Sequence, residues 1–156
     1  MEMVKRELEA LTRVTRVYFE KGLDERKRRA GMNIGSGSSV VVPSFPLFSV
    51  YAGTKAYVQQ LSKSMHIEYK SEGVHLQCQA PLYVHTRMAA RAKGYYFFKP
   101  SPESYAKAAV HWIGYDSVCV PYFPHFLQWC LVNMLPDFIN DYMCLTTNMG
   151  FLKKST

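Results

Sequence analysis

The chain is poor in the residues that cross-link a fold or hold a metal. Its four cysteines, Cys78, Cys119, Cys130 and Cys144, form no Cys-x-x-Cys pair, and no secretory signal precedes them. Reduced thiols facing a cytosol are the expectation, not a disulfide framework. The five histidines are scattered without metal-ligand spacing, and His-Glu-x-x-His does not occur, so no metal site is expected. No nucleic-acid motif is present. The longest apolar run, Phe126 to Leu135, is far too short to span a bilayer. Internal repeats and low-complexity tracts are also missing.

What is there fits one domain. The length of 156 residues, nearly half of them apolar and a fifth charged, suffices for a real core. The net charge of +7 suits an acidic partner, such as a phosphorylated cofactor, coenzyme A or an anionic membrane face. Its main basic run, Arg26-Lys27-Arg28-Arg29, reads as a solvated helix end or a phosphate contact.

The stretch from Gly35 to Gly73 organises the rest. It opens with Gly-Ser-Gly-Ser-Ser, crosses a Pro-punctuated loop, and enters a helical pattern at Tyr51-Ala-Gly-Thr-Lys55. Tyr51 and Lys55 are one helical turn apart on the same face. An ammonium so placed favours release of a phenolic proton. Ser36 offers a neutral hydroxyl able to donate to a carbonyl oxygen. Phenol, ammonium and hydroxyl together suit carbonyl reduction. The spacing alone is weak, and Tyr95 and Lys99 repeat it within the run Tyr95-Tyr96-Phe97-Phe98. Only the first pair follows a Gly/Ser turn and opens a long amphipathic helix, so the second reads as packing.

Along the chain, Val4, Leu8, Leu11, Val14 (or Thr15) and Tyr18 predict a helix from Glu2 towards Arg29. A short strand is expected near 31–35. The apolar loop from Val40 to Phe48, interrupted by Pro43 and Pro46, needs covering by protein, ligand or membrane. A helix near 50–71 buries Ala52, Val58, Leu61, Met65 and Tyr69 and stops at Gly73. Val74, Leu76, Cys78 and Ala80 alternate as a strand ended by Pro81. Ser101-Pro102 starts a helix with Tyr105, Ala108, Ala109, Trp112 and Ile113 on its buried side. A last strand is expected at 117–120. The run Phe126 to Leu135 is either a buried helix or a membrane-facing or dimer helix.

Strand, Gly/Ser turn, Tyr-x-x-x-Lys helix, strand and Pro-x-x-x-x-Thr together resemble the C-terminal half of a short-chain dehydrogenase/reductase. Asn33-Ile-Gly-Ser-Gly, Val41-Val-Pro-Ser-Phe-Pro-Leu, Tyr51-Ala-Gly-Thr-Lys-Ala-Tyr-Val, Gln77-Cys-Gln, Pro81-Leu-Tyr-Val and Trp112-Ile-Gly-Tyr are similar to the plant-type very-long-chain 3-oxoacyl-CoA reductases of that family. The resemblance implies an α/β fold, the C-terminal half of a doubly wound Rossmann-type parallel sheet with the N-terminal cofactor-binding half missing. It implies one partial domain over 1–156: a helix at 1–30, a catalytic segment at 31–114 and a helical extension at 115–156. It implies NADPH-dependent reduction of a very-long-chain 3-oxoacyl-CoA in microsomal fatty-acid elongation. Tyr51 would be the proton donor, Lys55 would hold the nicotinamide ribose, and Ser36 would orient the carbonyl. Pro81 and Thr86 would approach the cofactor. Other elongase subunits and a membrane are the implied partners, at the cytosolic face of the endoplasmic reticulum.

The sequence departs from that family in three places, one being the strand before Ser36, where Gly31-Met32-Asn33 stands in place of a longer apolar run. No Gly-x-x-x-Gly-x-Gly turn, which would cradle a diphosphate, occurs before Gly31. Glu7 stands where the family carries a catalytic asparagine. A truncated, catalytically inactive remnant that docks on elongase subunits is therefore the competing expectation. Lys153-Lys154-Ser155-Thr156 matches a dilysine signal for retrieval to the endoplasmic reticulum, or is a solvated basic tail.

Overall fold

A parallel three-stranded sheet carries the fold, in the order β1 (Arg29–Ile34), β2 (Val74–Gln79), β3 (Val118–Cys119). The structure is a computed structural model describing residues 2–20, 29–86 and 96–153. Arg29 pairs with Val74 and Ile34 with Gln79, so β1 and β2 run side by side over their full length. Cys78 pairs with Val118. Parallel neighbours need a crossover, and the crossover from β1 to β2 contains α2 (Gly37–Val40) and α3 (Ser49–Tyr69). That from β2 to β3 contains α4 (Pro102–His111). Helix α1 (Glu2–Glu20) precedes the sheet and leans on α3, with Thr12 and Tyr57 sharing a hydroxyl–hydroxyl bond of 2.6 Å. Helices α5 (Phe123–Asn133) and α6 (Asp137–Leu152) follow it. The expected α/β architecture, its three parallel strands and the helices around them are present.

Period-two alternation gives β2 two different faces. Val74 and Leu76 pack against Met65, Leu61 and Tyr69 of α3. On the α4 side Gln77 and Gln79 are almost wholly buried. Their amides donate to carbonyls at the end of α4 and in the turn that follows it. Gln79 Nε2 donates to Ala109 O at 2.8 Å, and Gln77 Nε2 donates to Trp112 O at 2.7 Å and Asp116 O at 2.9 Å. Leu76 is 1 % exposed, so Leu76→Ala should cost about 2–5 kcal/mol, read as a lowered urea midpoint with an unchanged slope.

Of the two residues that could take the inner position on α1, Thr15 is buried and Val14 lies in solvent. Several other sequence expectations need correction. The basic run does not close a helix at Arg29, which instead opens β1 two residues ahead of the expected start. Its other members, with Gly22 and Tyr95, lie outside the described residues. Trp112 and Ile113 are exposed because α4 ends at His111, before the periodicity would bring them inward. The run at 126–135 is only half buried. Trp129 and Val132 pack inward, while Phe126, Leu127, Leu131 and Met134 form an exposed apolar row.

The C-terminal helices cover part of the apolar loop. Val41 is buried with Ala80 and Val120, and Val40, Val42, Leu82, Trp129 and Val132 close around them. From α6, Asn148 donates to Pro46 O at 2.8 Å. Protein thus covers the start of this loop and Pro46, while Leu47 stays 51 % exposed.

Candidate active site

The C-terminal ends of β1 and β2 are stitched together by backbone bonds. Gly35 N donates to Gln79 O and Gly37 N to Pro81 O, both at 2.8 Å. A Cβ on Gly35 would stand 2.8 Å from Cys78 Sγ, so only glycine lets the chain cross β2 this closely. That crossing delivers Ser36 to the carboxyl-terminal edge of the sheet, outside the strand ends, where open parallel sheets bind their ligands.

Ser36 caps helix α2. Its Oγ accepts from Ser38 N–H at 3.2 Å and from the Ser38 hydroxyl at 3.0 Å. Neither bond uses the hydrogen of Ser36, which stays free to donate to a carbonyl.

Helix α3 brings Tyr51 and Lys55 to the same edge. Lys55 Nζ donates to Ile34 O at 3.4 Å, two residues before Ser36, and lies 5.9 Å from the centroid of the Tyr51 ring. Tyr51 itself is 42 % exposed. A buried pair fixes how α3 sits on the strand: Asn33 Nδ2 donates to Ser62 Oγ at 3.0 Å, and Ser62 Oγ donates to Val58 O at 2.7 Å. Pro81 ends β2 beside the Ser36 turn, and Thr86 is exposed five residues on, its N–H bonded to Val84 O. The cation, phenol and hydroxyls suit the ribose and nicotinamide end of a dinucleotide. Among the described residues no three His, Cys, Asp or Glu side chains gather as a metal site.

Two residues near the site carried no signal in the sequence. Tyr83 was visible only as one letter of a motif. His125 of α5 is fully buried and staples both ends of the segment after β2. Its Nδ1 accepts from Leu82 N–H at 3.4 Å, and its Nε2, then the protonated nitrogen, lies 3.2 Å from Phe98 O. Burial holds the His125 pKa below that of a free imidazole, against the opposing pull of the Phe98 and Tyr83 backbone. Burial and the nearby His66 lower His75 in the same direction. Below about pH 6.5 the unfolded imidazoles take up protons that the folded ones still refuse. The unfolded chain then binds more protons, and stability is lost as pH falls. The urea midpoint should therefore drop from pH 7.5 to pH 5.5, and the drop should shrink in His125→Gln.

With parallel strands, a Gly/Ser turn and a Tyr-x-x-x-Lys helix meeting at one sheet edge, the fold and site define a class, the Rossmann-type dehydrogenases. The chain belongs to the short-chain dehydrogenase family, whose profile matches residues 1–94. It is similar to a very-long-chain 3-oxoacyl-CoA reductase-like protein of Arabidopsis thaliana, at 53% identity over 137 residues. That match covers 86% of this chain and 44% of the relative. The human very-long-chain 3-oxoacyl-CoA reductase is 35% identical, over 86% of this chain and 43% of its own length. Among solved structures, a short-chain dehydrogenase from Sphingobium yanoikuyae in complex with NADPH superposes with a TM-score of 0.57 at 25% identity. This superposition covers 72% of this chain and 44% of the other. The chain thus spans less than half the length of these relatives.

Proposed function

We propose that this chain carries the carbonyl-reducing half of an NADPH-dependent very-long-chain 3-oxoacyl-CoA reductase. The observation that carries the reading is Lys55, held to the end of β1 while lying against Tyr51 and two residues from Ser36 along the strand. Tyr51 gives its proton to the C3 oxygen of the substrate, Ser36 donates a hydrogen bond to that oxygen, and Lys55 steadies both the phenol and the ribose. Pro81 and Thr86 approach the cofactor from β2. A bound NADPH supplies the hydride that reaches C3. The product is the 3-hydroxyacyl-CoA.

A second reading is favoured by the sequence before Gly31, which offers no glycine-rich turn for the diphosphate. On that reading the 156-residue polypeptide alone is inactive and serves at most to dock on elongase subunits. No helix among the described residues is long and apolar enough to cross a membrane. The exposed row on α5 supports peripheral attachment to a membrane, and Lys153 lies exposed at the end of α6. Lys154 lies outside the described residues.

The two readings separate in one assay. NADPH oxidation driven by a 3-oxoacyl-CoA is followed for the chain alone and for the chain co-expressed with the N-terminal half of the Arabidopsis relative. Turnover in the second case supports the reductase reading. Its absence there, with NADPH bound, would overturn it.

A further inference from the structure

Tyr83 lies within electrostatic reach of Tyr51 and has no part in the proton transfer described above. It stands on the segment opened by Pro81. Partial burial, and then the neighbouring Cys144 thiol and Tyr51 phenol, push its hydroxyl above the usual phenol range. A phenol so shifted gives up its proton less readily than an ordinary one. Its ring stacks on Phe151 of α6, with centroids 5.9 Å apart and planes inclined by 25°.

The same helix is also fastened to the loop that precedes Tyr51. Asn148, 1 % exposed, donates to Pro46 O, and the Ser44 hydroxyl donates to the Asp141 carboxylate. The Phe45 ring of that loop lies 6.5 Å from the Tyr51 ring. Helix α6 thus bridges the two segments that border the proton donor. The aromatic side chains it joins there, Phe45, Tyr83 and Phe151, carry no charge.

We propose that Phe45, Tyr83 and Phe151 form the wall along which the acyl chain of the substrate lies, making α6 the element that selects long chains over short ones. The inference rests on the reading of Tyr51 as proton donor to a 3-oxoacyl thioester. A carbonyl at Tyr51 leaves the aliphatic tail to run over this surface. Each methylene it covers is worth roughly fourfold in affinity, and aromatic faces supply that contact without a polar group to desolvate.

The test is calorimetric titration of the full chain with lauroyl-CoA and butyryl-CoA. Phe151→Ala should weaken lauroyl-CoA by roughly tenfold or more and butyryl-CoA by less than about twofold, and Phe151→Leu should restore part of the difference. Equal losses for both ligands, or a wild-type chain that does not prefer lauroyl-CoA, would overturn the proposal. To remove any dependence on how the variants fold, lauroyl-CoA bearing a terminal diazirine is photolysed with the unsubstituted chain. Label should appear on peptides containing Phe45, Tyr83 or Phe151; label confined to the outer row of α5 would overturn it. The two readings fail separately. Selective labelling of the wall with no reduction in the co-expressed assembly would sink the reductase reading alone. Tyr51-dependent reduction indifferent to chain length and to Phe151 would sink the wall alone.

Discussion

NADPH added to the purified 156-residue chain should produce no saturable change in fluorescence, and no 3-oxoacyl-CoA should be reduced. A dinucleotide is held chiefly by its diphosphate, which draws on backbone N–H groups at a helix N-terminus behind a glycine-rich turn. The sequence before Gly31 has no such turn. On the proposed reading the groups that remain are Lys55 and Tyr51 at the nicotinamide ribose and Thr86 near the carboxamide and diphosphate, with no such turn behind them. A well-placed general acid contributes ~10²–10⁴-fold, which cannot substitute for a missing hydride donor. In the sheet described, β1 is also an edge, with Met32 and Ile34 exposed. Such an edge invites pairing with another strand, so light scattering should show association that grows with concentration. Co-expression with the N-terminal half of the Arabidopsis relative should occupy that edge, suppress the association and give saturable NADPH binding. Saturable binding and turnover by the chain alone would instead establish it as a working minimal reductase.

Much of this architecture is legible along the chain because its signals are local. Gly73, with φ 76°, stops the helical stretch that follows Tyr51, just after the turn Lys70–Glu72. Ser101 caps α4 through Ser104 N–H, with Pro102 behind it. Tyr51 and Lys55 share a face by spacing alone. The errors and the open choice fall where tertiary partners decide. The choice left open between Val14 and Thr15 goes to Thr15 because α1 leans on α3, an element remote in sequence. Trp112 and Ile113 continue the apolar period of α4, yet the chain turns before they can be covered. The burial of Gln77 and Gln79 cannot be inferred from their polarity, since it depends on carbonyls from α4 and the turn after it. Tyr83 and His125 escape sequence reading for the same reason: their partners Phe151, Leu82 and Phe98 come from other elements.

Within the co-expressed assembly, Tyr51→Phe should lower the rate of 3-oxoacyl-CoA reduction by roughly 10²–10⁴-fold while leaving NADPH affinity within about threefold. The substitution removes one oxygen from a ring that is 42 % exposed. Its stability cost should therefore be small. The ring itself, its contact with Phe45 and the Lys55 cation against its face all remain, so ground-state binding has little reason to change. What disappears is the proton delivered to the carbonyl oxygen as C3 accepts hydride. Lys55→Met should act differently. It removes the cation that steadies the phenol and the group that meets the ribose, so kcat should fall and the KM for NADPH should rise together. Single-turnover measurements separate the two effects. A Tyr51→Phe assembly that keeps its rate, or one that loses NADPH affinity to the same extent as Lys55→Met, would show that the phenol is not the proton donor.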